Sequence, residues 1–364
     1  MKVIIAGGGT GGHIYPAIAI ADKIKRKKPG CSILFVGTEK GMERKLVPES
    51  GYEIRFITAS GVNRKNPLKN VIALRDFIRG SKQVKQILQD YQPDLVIGTG
   101  GYVCAPVIRM ASKKGIRTFI HEQNAFPGLT NRMLEKYVEK VFISFPESKE
   151  YFKQKQKLVV TGNPVRREFV VSGIFDYRKK LQIEPGEFLV LSFGGSRGAA
   201  KINDTILELA DAIRMVPGAK LVHITGNPYY ESFCRRLHEK RITEEDGVRV
   251  LPYTNCMHEY MFASDLVICR SGAITAAELT ACGKPAILIP SPNVTANHQY
   301  FNAKAIADKG GAVLIEEKDL TPEKLKSVVM HLMNNKEALN AMAKASAALG
   351  RTDGADAIYA ELGI

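Results

Sequence analysis

Two stretches decide the fold of this sequence: VIIAGGGTGGH at residues 3–13 and LVLSFGGSRGAA at residues 189–200. Each begins with a short apolar run, passes through a glycine-rich turn and leads into a helix-forming segment. A strand, turn and helix in this order are typical of a parallel sheet covered by helices. Because the pattern occurs twice, the sequence predicts two Rossmann-like α/β domains, with both glycine loops facing a cleft between them.

Strand and helix patterns alternate through both halves of the chain. Gly-Asn-Pro at residues 162–164 breaks regular structure, so we predict domains over residues 1–163 and 164–340 and a final helix at 341–364 that packs back on the first domain. The predicted strands are KVIIA, SILFVG, EIRFIT, DLVIGTG, RTFIHE, KVFIS and KLVVTG, then EFLVLSF, KLVHITG, VRVLPYT, DLVICRSG, PAILIPS and GAVLIEE. The clearest predicted helices are Ala17–Lys27, Val71–Gln89, Val103–Lys114 and Leu129–Tyr137.

The composition of the 364 residues is that of a globular protein, with 45% hydrophobic and 24% charged residues. The apolar start is too short for a signal peptide, and no apolar run is long enough to span a bilayer, so we expect a cytosolic chain. The cysteines lack metal-ligand or paired spacing, which predicts reduced packing residues. They are Cys31, Cys104, Cys234, Cys256, Cys269 and Cys282.

The formal net charge of +15 calls for an anionic partner or surface. Residues 61–90 contain seven Lys/Arg and two Asp, which is +5 in one segment. On a helix from about Leu68, we predict an inward stripe and a separate basic face beside surplus apolar residues, which suits an anionic membrane. A solvated helix face explains the pattern equally well. The predicted inward stripe is Leu74, Phe77, Ser81, Val84 and Leu88, and the predicted membrane contacts are Leu68, Ile72, Arg75, Arg79 and Lys82.

The first glycine loop, Gly7–Gly12, satisfies G-x-G-x-x-G between a strand and a helix and could receive an anionic oxygen. The same pattern, with Glu39 after the second strand, also fits a dinucleotide-binding dehydrogenase. His13 directly follows the loop, where an imidazole is placed for acid–base chemistry; a packing histidine is the alternative.

Two further polar segments follow strands of the first half. The loop Gly98–Tyr102 suits close backbone approach to a phosphate, and an ordinary tight turn is the alternative. His121–Asn124 places four polar side chains in a row at a strand end, which are costly to bury and useful in a binding site.

The second half carries three corresponding segments. Gly194–Gly198 presents amides and a hydroxyl at a helix start. In Arg270–Glu278 a strand end meets a helix with a carboxylate that could accept both hydroxyls of a ribose. Asn297–Gln299 lies in a Pro/Asn-rich loop whose amides and imidazole could contact a sugar, and a plain surface loop is the alternative.

Taken in order, seven segments resemble the MurG family of bacterial glycosyltransferases, in glycosyltransferase family 28. The resemblance runs from residue 3 to about residue 315, most of the chain, and the segments are GGGTGGHIYP, GTGGYVCAP, HEQNAFPGLTNR, TGNPVR, GGSRGA, CRSGAITAAE and ANHQYFNAKAI. The resemblance implies a GT-B fold of two Rossmann-like domains. It also implies inverting transfer of N-acetylglucosamine from UDP-GlcNAc to the C4 hydroxyl of an undecaprenyl-pyrophosphate-linked muramyl-pentapeptide.

Carried over by position, the resemblance implies roles for individual residues. The implied donor contacts are Thr10, Gly11, Gly12, Asn124, Arg166, Ser196, Thr254, Ala273, Ile274, Thr275, Glu278 and Gln299. The implied acceptor contacts are Gly100, Gly101, Tyr102 and Gln123. His13 and Glu122 are the candidates for catalysis, with His13 favoured as the base. Thr254 stands where the family often has isoleucine, and His298 where some relatives have glutamine.

No D-x-D triplet is present, so we expect no cofactor and no obligatory metal, with helix dipoles, Ser196 and Arg166 or Arg270 stabilising the leaving UDP. The expected partners are UDP-GlcNAc, the lipid-linked acceptor, an anionic membrane surface and other cell-wall synthesis and division proteins. We expect a peripheral location on the cytoplasmic face of the cell membrane. A nucleic-acid partner is not expected, because the basic segment holds one aromatic residue, Phe77. The remaining rivals are a dehydrogenase, a UDP-sugar epimerase and a transferase with another acceptor.

Overall fold

The structure is a computed structural model that describes residues 1–61, 68–171, 176–195 and 197–364. The strands are β1 Lys2–Gly7, β2 Ser32–Gly37, β3 Glu53–Phe56, β4 Leu95–Gly100, β5 Arg117–Glu122, β6 Lys140–Ile143, β7 Leu158–Val160, β8 Phe188–Phe193, β9 Ala219–Ile224, β10 Val248–Leu251, β11 Leu266–Cys269, β12 Ala286–Leu288 and β13 Ala312–Leu314. All of the strands predicted from the sequence are present.

The helices are α1 Gly11–Lys27, α2 Glu43–Glu49, α3 Leu68–Tyr91, α4 Cys104–Lys113, α5 Leu129–Leu134, α6 Arg167–Val171, α7 Tyr177–Lys180, α8 Ala200–Ile213, α9 Tyr230–Glu239, α10 Met257–Ala263, α11 Ala273–Ala281, α12 His298–Ala307, α13 Pro322–Asn334, α14 Lys336–Leu349 and α15 Gly354–Glu361. The four helices predicted from the sequence are present, with ends that differ from the prediction by up to six residues: α1 and α3 are longer, whereas α4 and α5 are shorter. Short 3₁₀ turns connect several of them.

The chain divides into two compact units, Met1–Arg166 with Thr352–Ile364, and Arg167–Arg351. Unit 1 contains a seven-stranded sheet in the order β3-β2-β1-β4-β5-β6-β7, and unit 2 a six-stranded sheet in the order β10-β9-β8-β11-β12-β13. All recorded strand pairs in both sheets are parallel. The predicted pair of Rossmann-like domains is therefore confirmed.

Both faces of the unit 1 sheet are covered, which explains why its strands are apolar at nearly every position. Along β1, Ile4 and Ala6 face a core shared with α3 and α4. Val3 and Ile5 face the opposite core, which α1 and the carboxyl-terminal Ile358 complete. Unit 2 buries a third core around β8, α8 and α13.

Residues 341–364 form parts of two helices rather than one. α14 packs on α11 in unit 2, and α15 packs on α1 in unit 1. Tight backbone approaches separate them: a Cβ at Gly350 would lie 2.3 Å from the Thr280 carbonyl oxygen, and one at Gly354 would lie 2.6 Å from that of Asn163. The break follows from these approaches, which no helical periodicity reveals.

Candidate functional site

In unit 1 the polar segments follow three neighbouring strands. β1, β4 and β5 lie side by side, so the loops after them meet at one edge of the sheet. The chain leaves β1 and β4 in opposite directions across the sheet, which makes their junction the switch point where open α/β sheets bind ligands.

A buried carboxylate that the sequence analysis missed supports the first glycine loop. Glu43 is 0% exposed, and its two oxygens accept hydrogen bonds from the Gly9 amide at 2.9 Å and from the Thr38 amide and hydroxyl at 2.9 and 2.8 Å. A Cβ at Gly8 would lie 2.4 Å from this carboxylate and one at Gly41 would lie 2.0 Å from it. The glycines therefore make room for Glu43, and Glu39, the acid expected of a dehydrogenase, is exposed.

Helix α1 begins directly after this loop. Thr10 precedes its first turn without a capping hydrogen bond from its side chain. Thr10 and Gly12 are exposed and Gly11 is half-buried. The amino-terminal amides of a 17-residue helix thus open at the mouth of the loop, where they favour negative charge.

His13 lies in the first turn of α1, half-buried beside Gly100. Its Nδ1 is 3.1 Å from Oε1 of Gln123. No residue within the described ranges makes a hydrogen bond to its Nε2. The imidazole is thus held on one side and available on the other.

The loop after β4 accommodates both the histidine and the glycine loop. Gly100 has φ +116°, and a Cβ there would lie 2.5 Å from Nδ1 of His13. Gly101 has φ +82°, and its Cβ would lie 2.5 Å from the Gly8 carbonyl oxygen. Tyr102 is 41% exposed, with its ring beside Gly61 and its hydroxyl near Gly9.

The side chains of His121 and Gln123 are buried behind His13. His121 is 0% exposed and Gln123 is 1% exposed. The Gln123 amide nitrogen donates to the Thr99 carbonyl oxygen at 2.7 Å and lies 2.9 Å from Nδ1 of His121. Burial lowers the pKa of His121 to about 4, so this ring is neutral near pH 7.

Glu122 is 1% exposed and carries four hydrogen bonds. One oxygen accepts from the backbone and side-chain amides of Asn124 at 3.0 and 3.1 Å. The other accepts from the Gly128 amide at 3.0 Å and the Asn131 side chain at 2.8 Å. The carboxylate therefore organises the loop after β5 and orients Asn124.

In unit 2 a second glycine loop follows β8. Gly198 has φ +72°, and a Cβ there would lie 2.0 Å from the carbonyl oxygen of Thr225. The side chain of Asn203 on α8 donates to the same oxygen at 3.1 Å. The loop is thus seated on the end of β9 at the start of α8. Ser196 lies outside the described residues.

The loop after β11, the strand beside β8, leads into α11. The Ser271 hydroxyl donates to the Gln299 carbonyl oxygen at 2.8 Å, and the Gln299 side chain accepts from the Ser291 amide at 2.9 Å. The buried Glu278 and the half-buried Thr275 lie on α11, together with Ala273 and Ile274. These residues gather near the amino terminus of one helix.

Arg270 is committed to other partners. Its guanidinium donates to the Ile289 and Pro290 carbonyl oxygens at 3.1 and 3.0 Å and pairs with Glu317. Arg166 is half-buried at the end of unit 1. Thr254 lies after β10, where its hydroxyl accepts from the Cys256 amide at 3.0 Å.

The loop before α12 carries a backbone signal that the sequence does not reveal. Ala296 and Asn297 have φ +55° and +53°, a conformation that residues other than glycine rarely adopt. Nδ1 of His298 donates to the Thr295 carbonyl oxygen at 2.8 Å. Strained residues of this kind concentrate at ligand-binding loops.

Comparison with known proteins is consistent with this architecture. Residues 3–143 match the glycosyltransferase family 28 N-terminal domain and residues 189–358 match the family's C-terminal domain. The chain belongs to glycosyltransferase family 28. It is 46% identical over 359 residues to a protein of Acetivibrio thermocellus, covering 99% of this chain and 96% of that one. It is 48% identical to a protein of Ruminiclostridium cellulolyticum, covering 99% and 98%.

Both relatives carry the name UDP-N-acetylglucosamine–N-acetylmuramyl-(pentapeptide) pyrophosphoryl-undecaprenol N-acetylglucosamine transferase. Among solved structures, the MurG of Acinetobacter baumannii matches with a TM-score of 0.79 and 27% identity, covering 100% of this chain and 99% of that one. A UDP-GlcNAc 2-epimerase of Neisseria meningitidis matches with a TM-score of 0.69 at 17% identity, covering 100% and 99%, and shares the fold alone.

In this family 28 chain, α3 presents apolar and basic side chains together. The inward stripe was predicted wrongly at Leu74, which is 61% exposed. Gly80 packs so closely on the Thr58 carbonyl that a Cβ would lie 2.3 Å from its oxygen, so the face containing Gly80 is buried. Leu74 is about 120° away from Gly80 around the helix. The buried face instead includes Ala73, Gly80, Val84, Ile87 and Leu88.

The solvent-exposed side of α3, called the α3 surface, contains Val71, Ile72, Leu74, Arg75, Ile78, Arg79 and Lys82. The side chain of Leu68 lies outside the description. Asp76 is buried under this surface and accepts from the Ser60 hydroxyl at 2.5 Å. That hydrogen bond, with Arg75 beside it, lowers the pKa of Asp76.

Two features are absent from the described part of the chain. No helix there is both long and apolar enough to cross a membrane. No three His, Cys, Asp or Glu side chains come together there in a way that could hold a metal ion. All of the cysteines are free thiols.

Proposed function

We propose that this chain transfers N-acetylglucosamine from UDP-GlcNAc to the C4 hydroxyl of an undecaprenyl-pyrophosphoryl N-acetylmuramyl-pentapeptide, with inversion at the sugar carbon. The observation that carries the proposal is the full-length match, at 46–48% identity, to transferases bearing that name. The half-buried His13 at a helix amino terminus supports it, because the reaction needs a base near groups that favour negative charge.

Unit 2 binds the UDP part of the donor. The amino termini of α8 and α11 lie after adjacent strands, where their dipoles stabilise a diphosphate. Glu278 accepts hydrogen bonds from the ribose hydroxyls, and the Thr254 backbone contacts the uracil. The other donor contacts in unit 2 are Gln299, Thr275, Ile274 and Ala273. Thr10, Gly11, Gly12 and Asn124 are the donor contacts expected from unit 1.

Stabilisation of the leaving UDP comes from the helix dipoles, Ser196 and Arg166, without an obligatory metal. Arg270 already pairs with Glu317 and donates to two carbonyl oxygens, which leaves its guanidinium less able to bind UDP directly. Such preorganised groups act strongly where charge develops during the reaction.

His13 acts as the general base. Its Nε2 takes the proton of the C4 hydroxyl as that oxygen attacks C1 of the donor sugar, and the C1–O bond breaks with its electron pair leaving on UDP. Glu122 is a poor alternative because four hydrogen bonds already occupy its carboxylate. We assign it the task of orienting Asn124.

The test is turnover of UDP-GlcNAc with the lipid-linked muramyl-pentapeptide. We expect wild-type transfer that requires this acceptor and a fall in kcat of about 10² or more in His13→Ala. His331→Ala, which removes an exposed histidine of α13, is the matched control and should leave kcat unchanged. Tight UDP-GlcNAc binding without transfer would overturn the proposal and favour an epimerase or another acceptor.

The acceptor's lipid stays in the bilayer, so the chain must reach a membrane surface. The α3 surface suits this, because its basic side chains attract anionic headgroups while its apolar side chains enter the interface. Val71, Ile72, Leu74 and Ile78 are each at least half exposed. We therefore place the chain peripherally on the cytoplasmic face of the membrane; cell-wall synthesis and division proteins remain predicted partners.

Charge reversal tests this docking. Arg75→Glu, Arg79→Glu and Lys82→Glu together should abolish binding to vesicles containing phosphatidylglycerol, while turnover of a short-chain soluble acceptor stays near the wild-type value. Lys324→Glu, Lys326→Glu and Lys344→Glu make the same charge change at exposed residues of unit 2 and should retain most binding. Equal losses in both variants would mean that net charge, rather than the α3 surface, determines binding.

A further inference from the structure

A line of hydrogen bonds runs inward from His13. Nδ1 of His13 is 3.1 Å from Oε1 of Gln123, and the Gln123 amide nitrogen is 2.9 Å from Nδ1 of His121. Nε2 of His121 in turn lies 3.3 Å from the Gly162 carbonyl oxygen and 3.1 Å from the Ser144 hydroxyl oxygen. Two of the three side chains are almost fully buried, so few arrangements of the protons are available.

The groups around His121, at the inner end of this line, determine which of its ring nitrogens carries a hydrogen. The Gly162 carbonyl can only accept, and the Ser144 hydroxyl already donates to the Glu122 carbonyl oxygen at 2.9 Å. Nε2 of His121 must therefore carry a hydrogen. Because burial lowers the pKa of His121 to about 4, the ring is neutral near pH 7 and its Nδ1 is bare.

The Gln123 amide has only one orientation that satisfies its neighbours. Its nitrogen faces three groups that accept: the Thr99 carbonyl at 2.7 Å, Nδ1 of His121 at 2.9 Å and the His121 carbonyl at 3.2 Å. An oxygen at this position would face three acceptors without a hydrogen between them. Oε1 of Gln123 consequently points at His13, and Nδ1 of His13 must donate to it.

We propose that His121 and Gln123 are positioning residues that select the Nδ1–H tautomer of His13. They thereby keep its Nε2 unprotonated and able to take the proton of the acceptor's C4 hydroxyl. The inference rests on the proposed role of His13 as base. Neutral histidine in water prefers the other tautomer, in which Nε2 carries the hydrogen and cannot accept one. The buried relay reverses that preference at the mouth of the glycine loop.

Nitrogen-15 NMR of the histidine-labelled full chain tests the inference directly, because the two ring nitrogens have distinct shifts in each tautomer. His13 is assigned by the signal lost in His13→Ala. We expect Nδ1–H with a bare Nε2 in the wild type at neutral pH. A wild-type ring with hydrogen on Nε2 would overturn the inference without any variant being needed.

Gln123→Met removes the hydrogen-bonding groups at similar length. We expect kcat to fall roughly 10- to 10²-fold, KM for UDP-GlcNAc to change less than about twofold, and His13 to shift toward Nε2–H. Gln83→Met is the matched control: the Gln83 carbonyl oxygen accepts from the Thr58 amide at 2.7 Å in the same unit but lies outside the relay. It should leave both the tautomer and kcat unchanged.

The two measurements separate this inference from the proposed function. Wild-type transfer with His13 in the Nε2–H form, or a Gln123→Met enzyme with wild-type kcat, would overturn the relay and leave the function standing. Absence of wild-type transfer while the Nδ1–H tautomer is observed would overturn the function and, with it, the catalytic meaning of the relay. Loss of kcat in Gln123→Met with the tautomer unchanged would reduce Gln123 to a packing role.

Discussion

The two glycine loops resemble each other in sequence and in topology but differ in what lies behind them. Each follows the first strand of its sheet at the switch point. In unit 1, the loop after β1 rests on the buried carboxylate of Glu43, which accepts from the Gly9 amide. In unit 2, the loop after β8 rests on the Thr225 carbonyl at the end of β9.

Under the proposed function, this difference separates the tasks of two otherwise similar domains. A carboxylate that already occupies a loop amide opposes a diphosphate at the same position, since like charges at short distance repel. We infer that the chemistry in unit 1 depends on His13 and the first turn of α1 rather than on the loop amides. The loop of unit 2 lacks that carboxylate contact among the residues described and suits the donor diphosphate better.

The largest expected effects that test this division come from two glycines: Gly100 at the end of β4, which packs on His13, and Gly198 in the loop after β8. Gly100→Ala should lower kcat about 10²-fold, because its Cβ would lie 2.5 Å from Nδ1 of His13 and displace the imidazole. Gly198→Ala should instead weaken UDP-GlcNAc binding by about tenfold, because its Cβ would lie 2.0 Å from the Thr225 carbonyl and shift the donor loop. Steady-state kinetics and calorimetric titration of UDP-GlcNAc measure the two effects.

Each of these changes has a matched control in the same unit. Gly115 and Gly218 have φ +73° and +76°, and a Cβ at either would meet nothing within 4 Å. Gly115→Ala and Gly218→Ala therefore cost only the backbone strain, about 1 kcal/mol, and should retain kcat and donor affinity. If Gly100→Ala lowered donor affinity as much as Gly198→Ala, the assignment of separate tasks would be wrong.

Sequence patterns predicted the strands, the two glycine loops and the position of His13, because all three depend on neighbours along the chain. They did not reveal Glu43, whose partner Gly9 is 34 residues away and comes close only because β1 and β2 are adjacent. The pairing of Arg270 with Glu317 spans 47 residues and was missed for the same reason.

The spacing of apolar residues also predicted the wrong buried face for part of α3. Apolar spacing alone placed Leu74 inward, whereas the close backbone contact at Gly80 determines which face is buried. Gln123 shows a related limit: the resemblance implied acceptor contact, and only the structure reveals that the side chain is buried, with its amide atoms hydrogen-bonded to neighbours within unit 1. Long-range packing decides such roles.

Two buried histidines extend the comparison from the loops to the sheets. His121 on β5 and His223 on β9 are both 0% exposed. His121 has hydrogen-bonding partners at both ring nitrogens, whereas neither nitrogen of His223 has a partner of normal geometry within the described residues. The two histidines are equally buried, but His121 belongs to a line of hydrogen bonds in unit 1, whereas His223 packs beside Phe233 in the apolar core of unit 2.

The smallest expected effect follows from His223. Burial lowers its pKa from 6.5 to about 3, so between these values the unfolded chain binds a proton that the folded chain does not. Unit 2 therefore loses stability as the pH falls through this window, by about 1 kcal/mol per pH unit. His223→Leu should remove that slope and leave kcat at pH 7 within about twofold. Hydrogen exchange of β8 and β9 between pH 6.5 and 4.5, corrected for intrinsic rates, measures the slope. An unchanged slope in the variant would mean that other groups cause the acid sensitivity of unit 2.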